Sequence, residues 1–289
     1  MRKVLQYLSL LLPLLIAMGL LFITSFLSIS VYYNSYICSY AFGRLSNTVG
    51  AVDISYLLSH IPDIPDSYLE AVIYIYPVVW AIFFYFWYRR VAGKASVTTI
   101  KRFTAKNIII LLLISIGCQL VISAFMELVL PYFEKLAQDY SELIDEILLG
   151  NPILVFVSTV ILAPVSEELI FRGVILKKAL RFAPFLAANI AQALLFGIFH
   201  LNIVQGVYAL GVGLVLGFVA YRYQSIICSI LLHMFFNAYN YVAIIPTKGV
   251  WIYIDMAAGA VILTIALIWL TKTTSDSKDT IIKIKDVRL

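Results

Sequence analysis

Apolar residues are gathered along this chain into long blocks separated by short polar stretches. Eight blocks stand out, near 4–31, 68–88, 107–130, 152–172, 184–201, 203–221, 225–244 and 251–271. Crossing the hydrocarbon of a bilayer takes a helix of about 20 residues. In lipid every backbone polar group needs an internal partner, and a helix supplies one within its own segment. The pattern therefore predicts an all-α, polytopic membrane helix bundle of about eight transmembrane segments. Some blocks are short for a full crossing, so partial spans are expected among them. The first block is too long for the apolar core of a cleaved signal peptide and no small-x-small site closes it, so it reads as an uncleaved span.

Composition agrees. The chain has 289 residues, of which 62% are hydrophobic and 13% charged. Soluble domains are roughly 45–50% apolar and about 25% charged. Too little polar material remains to cover a water-facing globule. The formal net charge of +5 does not point to nucleic acid, because the basic residues fall in short clusters beside apolar blocks. Such clusters mark cytoplasmic loops. Arg89, Arg90, Lys94, Lys101, Arg102 and Lys106 follow the second block; Arg2 and Lys3, then Lys177, Lys178 and Arg181, then Arg222 and Lys272, fall on the same side. Asp53, Asp63 and Asp66, and later Glu134, Asp139, Glu142, Asp145 and Glu146, fall on the other. Both termini are thus expected to be cytoplasmic in an integral, multi-pass membrane protein.

Smaller features fit the same scheme. Tyr32, Tyr33, Tyr68, Tyr74, Trp87, Tyr88, Trp251 and Tyr253 lie near block ends, as an interfacial aromatic belt would. Between 132 and 149, Leu136, Leu143, Ile147 and Leu148 recur among acids, which predicts an amphipathic helix on the outer surface. Cys38, Cys118 and Cys228 are too few and too far apart for a disulfide framework. The tail from 272 to 289 is polar and expected to be exposed.

Ionisable groups inside an apolar segment are costly and mark function or a buried pair. The first three blocks are almost clean, with Glu127 the main exception. The later ones are not: Glu167, Glu168 and Arg172 lie in the fourth, His200 ends the fifth, and His233 and Asn237 lie in the seventh. Glu168 and Arg172, four apart, share a helix face and can pair. Glu167 points about 100° away. It has to find a partner on another helix or take up a proton. His233 and Asn237 are also four apart, which sets an imidazole beside a carboxamide. Together these suggest a hydrolase without a Ser or Cys nucleophile: Glu167 and His200 take a proton from water, and His233 and Asn237 donate to the oxyanion. A divalent metal such as zinc is the other reading, with Glu167, His200 and His233 as ligands. The spacing of two histidines four apart around a glutamate, typical of zinc proteases, is absent. One point resists. Glu167 sits roughly 22 Å from the outer end of its block, whereas His200 is next to an outer turn. Either that turn is sunk in the membrane or one block is not a full crossing. Gly213 and Gly217, a small-x-x-x-small pair, predict close helix packing nearby.

These residues resemble the motifs of the CPBP family, the CAAX-protease and bacteriocin-processing (Abi) intramembrane enzymes. Glu167-Glu168 with Arg172 is similar to its Glu-Glu-x-x-x-Arg motif. Phe196 to His200 is similar to Phe-x-x-x-His, and His233 to Asn237 to His-x-x-x-Asn. The order and separations also agree, over about 150–245. The resemblance implies an intramembrane endopeptidase, of the type II CAAX prenyl endopeptidase kind, with a membrane-associated protein or peptide as substrate. It implies catalytic roles for Glu167, His200, His233 and Asn237, support from Glu168 and Arg172, glutamate-dependent chemistry with no required cofactor, and a place in a bacterial cell membrane. A non-catalytic bacteriocin-immunity or scaffold protein of the same family is the alternative. On this reading 1–150 holds N-terminal spans and loops, 151–245 the catalytic core, 246–271 a last span and 272–289 a cytoplasmic tail.

Overall fold

A computed structural model describes residues 2–46, 54–92, 104–148, 150–242 and 248–275, and no strand occurs among them. Several of the loop charges named above (Asp53, Lys94, Lys101 and Arg102) and the tail from 276 lie outside the described residues. The helices are α1 (Arg2–Leu8), α2 (Leu11–Ser46), α3 (Ile54–Ser59), α4 (Asp66–Ala92), α5 (Ala105–Val129), α6 (Glu134–Leu148), α7 (Pro152–Ala179), α8 (Phe185–Phe199), α9 (Ile203–Tyr223), α10 (Ile226–Val242) and α11 (Val250–Ser275). Six stretches are long and apolar enough to cross a bilayer: Val4–Phe42, Ala71–Ala92, Ala105–Tyr132, Pro152–Ala179, Ile203–Tyr223 and Val250–Thr274. Two further apolar helices, α8 and α10, are shorter, at 15 and 17 residues. The chain is a polytopic helical membrane bundle in which two of the eight expected segments fall short of a full span.

Local sequence explains the boundaries. α1 and α2 part at Ser9 and Leu10 because Pro13 has no N–H to return to the Ser9 carbonyl. α2 then runs on well past its expected end, for 36 residues. Neither Pro nor Gly interrupts residues 31–42. The overhang is tied down where the Tyr32 and Tyr36 hydroxyls donate to the carbonyls of Asp63 and His60, at 3.0 and 2.8 Å.

The central element is α7. It packs against α2, α4, α8, α9 and α10, and every residue from Glu168 to Leu176 is buried. A helix enclosed on all sides can be apolar all round, and most of this stretch is. α7 also leaves the α register twice, in π turns over Val157–Leu162 and Leu169–Leu176. π turns inside α-helices are frequent at functional sites.

Glycines set the closest crossings. A Cβ on Gly217 would overlap the side chains of Asn189 and Gln192, and one on Gly213 would press on Ala193 and Phe196. The expected small-residue contact is thus the α8–α9 interface. On the far side of the bundle Gly117 meets the backbone of Leu263, and Gly259 lies over Leu120 and the Gly117 carbonyl, so that α5 and α11 pack along their length.

Basic side chains gather at one end. Lys178 Nζ donates to Ser9 O at 2.7 Å, Arg181 Nη2 to Val91 O at 2.8 Å and Arg222 Nη2 to Thr271 O at 2.7 Å, while Lys106 lies 5.9 Å from the Trp269 ring. Tyr88 belongs to this end but is buried under Lys177, so it is a packing residue rather than part of an aromatic belt. At the opposite end α6 forms where the amphipathic helix is expected. Leu136, Tyr140, Leu143, Ile144 and Ile147 are half-buried, and Glu134, Asp139, Glu142, Asp145 and Glu146 are exposed. α6 lies against α9 and the start of α7.

Candidate active site

Pro164 shapes the upper part of the site. In the π register of Val157–Leu162, Ala163 N–H bonds to Ser158 O, five residues back. The next donor in that register would be residue 164, but proline has none, so Thr159 O is left without its helical partner. Asn237 of α10 fills the vacancy, with Nδ2 donating to Thr159 O at 2.8 Å. The Thr159 hydroxyl donates to Val155 O at 2.8 Å and lies 2.7 Å from Tyr241 Oη. One missing N–H thus fixes α10 against α7.

One turn further along α7 the pair expected from spacing is present: Arg172 Nη1 donates to Glu168 Oε1 at 2.7 Å, with both side chains sealed from solvent. Arg172 also donates from Nη2 to Gly213 O at 3.1 Å, and its guanidinium lies 4.6 Å from the Phe196 ring centre. Gln192 Nε2 donates to the same carbonyl at 2.8 Å and to Asn189 Oδ1 at 2.8 Å. Asn189 Nδ2 in turn reaches Leu214 O at 3.0 Å. Charge on Glu168 and Arg172 is therefore embedded in a hydrogen-bonded network that spans α7, α8 and α9.

His233 comes to this network from α10. Its Nδ1 is 3.1 Å from Glu168 Oε1 and its Nε2 is 3.8 Å from Glu167 Oε2. An ionised carboxylate only accepts, so the Nδ1 proton is donated to Glu168 and Nε2 is left facing Glu167. Ser229, one turn before His233, stands beside the Glu168 carboxylate while its hydroxyl donates to Ile226 O at 3.0 Å. Glu167 is the more open acid, with 14% of its side chain exposed.

His200 lies at the end of α8, with Nδ1 2.8 Å from Phe196 O. A carbonyl accepts, so Nδ1 carries the proton and Nε2 keeps its lone pair. His200 is within electrostatic reach of Glu167, His233 and Arg172 without a direct hydrogen bond to any of them. The depth conflict disappears here. Counted from the basic end, Glu167 is twelve residues back from Ala179 and His200 is fifteen on from Phe185. These correspond to about 18 Å and 22 Å. α8 has only 15 residues, so the turn after His200 comes at about the level of Glu167. That turn is tight: Leu201 takes a left-handed φ of 56°, and Asn202 Oδ1 accepts from Gln205 N at 3.0 Å to start α9.

All six residues singled out in the sequence therefore line one region of the bundle. Glu167, Glu168, Arg172 and His233 form a contiguous cluster, while Asn237 is engaged one turn away and His200 stands across from Glu167. Other neighbours carry no signal in the sequence. Tyr76 of α4 and Tyr208 of α9 are both within electrostatic reach of Glu167. The Tyr208 hydroxyl lies 3.5 Å from that of Tyr140 on α6, which sets the amphipathic helix over this region. Gln119 reaches in from α5.

Among the described residues, no three His, Cys, Asp or Glu side chains converge as a metal ion would require.

Residues 149–239 match the family model described as type II CAAX prenyl endopeptidase Rce1-like. This segment is Rce1-like. It opens at the junction of α6 and α7 and closes within α10, so it contains Glu167, Glu168, Arg172, His200, His233 and Asn237. The family is one of CAAX endopeptidases, enzymes that act on peptide substrates. No curated protein and no solved structure matches the chain. Tyr76 of α4, Gln119 of α5, and Asn240 and Tyr241 on the last turn of α10 stand outside the Rce1-like segment and complete its surroundings.

Proposed function

We propose that this protein is an intramembrane endopeptidase that uses Glu167 to activate water. The observation that carries the proposal is the placement of a partly exposed carboxylate beside two differently held imidazoles, 3.8 Å from one and across from the other. A water bound between Glu167 and His200 Nε2 gives up a proton to Glu167 as its oxygen attacks the scissile carbonyl. The oxyanion is met by His233 Nε2–H and by the Asn237 N–H that is not donated to Thr159. Because Nδ1 of His233 donates to Glu168, donation from Nε2 as well requires the imidazolium. Glu168 stabilises that cation, and Arg172 balances Glu168. Collapse of the intermediate breaks the C–N bond, and the proton held by Glu167 passes to the leaving nitrogen. No step is routed through a metal, so activity is expected to survive exhaustive chelation.

The positive-inside pattern puts both termini in the cytoplasm and the acidic end outside. On that topology Glu167 lies near mid-helix, about 18 Å from the cytoplasmic end of α7 and about 22 Å from its outer end. The decisive experiment compares purified, reconstituted wild type with Glu167→Ala by proteome-wide identification of cut peptides. Products made only by the wild type support the proposal. Identical products from both, or none from either, remove it, and the second result would favour a scaffold or immunity protein.

A further inference from the structure

We propose that Asn240 binds the backbone of an extended substrate along a stripe of α10 leading away from the site, with Gln119 as the residue that positions it. The inference rests on the endopeptidase reading and adds a binding subsite to it.

Gln119 is the point of departure. It lies in the middle of α5, a largely apolar span, and is only 3% exposed. A carboxamide in that position is costly unless it is satisfied. Its Nε2 donates twice, to Phe236 O at 2.7 Å and to Asn240 Oδ1 at 3.1 Å. Helix packing needs neither bond. Phe236 O is within the run of α10 and has the helical donor of residue 240, and α5 already lies along α10 through apolar contacts. The distinctive consequence of Gln119 is that the Asn240 carboxamide is held by its oxygen.

Asn240 is exposed, unlike Ser229, His233 and Asn237 of the same helix. With Oδ1 occupied by Gln119, its Nδ2 group is turned outward with N–H donors to offer. The spacing of His233, Asn237 and Asn240, at i, i+4 and i+7, puts all three on one stripe of α10. The stripe is walled by α5 on one side, through Gln119, and by the π turn of α7 on the other, through Thr159. It runs from the imidazole toward the acidic end. Asn240 is seven residues beyond His233, about 10.5 Å along the axis. An extended peptide rises roughly 3.3 Å per residue. A chain whose scissile carbonyl sits at His233 therefore brings the carbonyl of about the third residue along to Asn240. Apolar side chains offer such a chain nothing for its backbone groups, which must be paired when they leave water.

The test uses internally quenched peptides built on a sequence that the wild type cleaves, lengthened one residue at a time on each side of the scissile bond. Wild type in nanodiscs is expected to gain about five- to tenfold in kcat/KM, through KM, when the peptide reaches the third residue on one side. Asn240→Ala should abolish that step, and Gln119→Leu should weaken it. A purely structural role for either residue would lower cleavage of all lengths together and leave the step in place. Gln119 is buried, so Asn240→Ala, at an exposed position, keeps the test valid if the other variant folds poorly. A step unchanged in Asn240→Ala, or absent from the wild type, overturns the subsite and leaves the endopeptidase reading standing. A wild type that cleaves no peptide removes both.

Discussion

The first spans and the Rce1-like segment are built from similar apolar residues yet bury different things. α2 faces outward with Phe22 and Phe26, and α4 with Phe86, each more than 60% exposed, as side chains against lipid tails would be. Its contacts with the bundle are mostly apolar. From α7 to α10 the bundle encloses Glu168, Arg172, Asn189, Gln192, Ser229 and His233. Lipid offers these groups no partners, so they bond to one another and to backbone carbonyls: Arg172 to Glu168 and Gly213 O, Gln192 to Asn189 and Gly213 O, Asn189 to Leu214 O, His233 to Glu168 and Ser229 to Ile226 O. The N-terminal spans thus act as a wall. The Rce1-like segment holds the buried polar cluster, and the wall lends it single polar groups, Tyr76 from α4 and Gln119 from α5.

The comparison can be broken most severely at Arg172. Arg172→Met should destabilise the protein by about 3–5 kcal/mol, because Glu168 is left charged and uncompensated. Adding Glu168→Gln should restore most of the loss. Thermal unfolding in detergent reads both, and equal stability of the single and double variants would show that the pair is not the origin of the effect. Next in size is Gly217→Val, whose side chain has no room against Asn189 and Gln192. A loss of about 1–3 kcal/mol is expected from the forced shift of α8, seen as a lowered unfolding midpoint. The smallest effect should come from the wall. Phe22→Leu on the lipid face of α2 should change stability by less than about 0.5 kcal/mol. A drop as large as that of Gly217→Val would mean that Phe22 packs against protein.

Much of this was legible in the sequence. Block lengths gave the bundle, the four-residue spacing gave the Glu168–Arg172 pair, and alternating acids and leucines gave α6. The Asn237–Thr159 bond was not legible, because it depends on a π register that residue identity alone does not fix. Without that register, the missing donor of Pro164 points to Val160 rather than Thr159. The relative depth of Glu167 and His200 was left open for a related reason: the sequence does not fix where a helix ends, and α8 proves to be a short helix of 15 residues. Gln119, Tyr76 and Tyr208 were missed because a lone polar residue in an apolar run makes no pattern, and the residue that explains it lies on a distant helix. Gln119 and Asn240 are 121 positions apart.

The central claim is that Glu167 acts through its charge. Glu167→Gln keeps the shape of the side chain and removes its ability to take a proton. Measured on a peptide that the reconstituted wild type cuts, with matched unfolding midpoints, this variant should lose about 10²- to 10⁴-fold in kcat. Cleavage by Glu167→Gln at the wild-type rate would contradict the account.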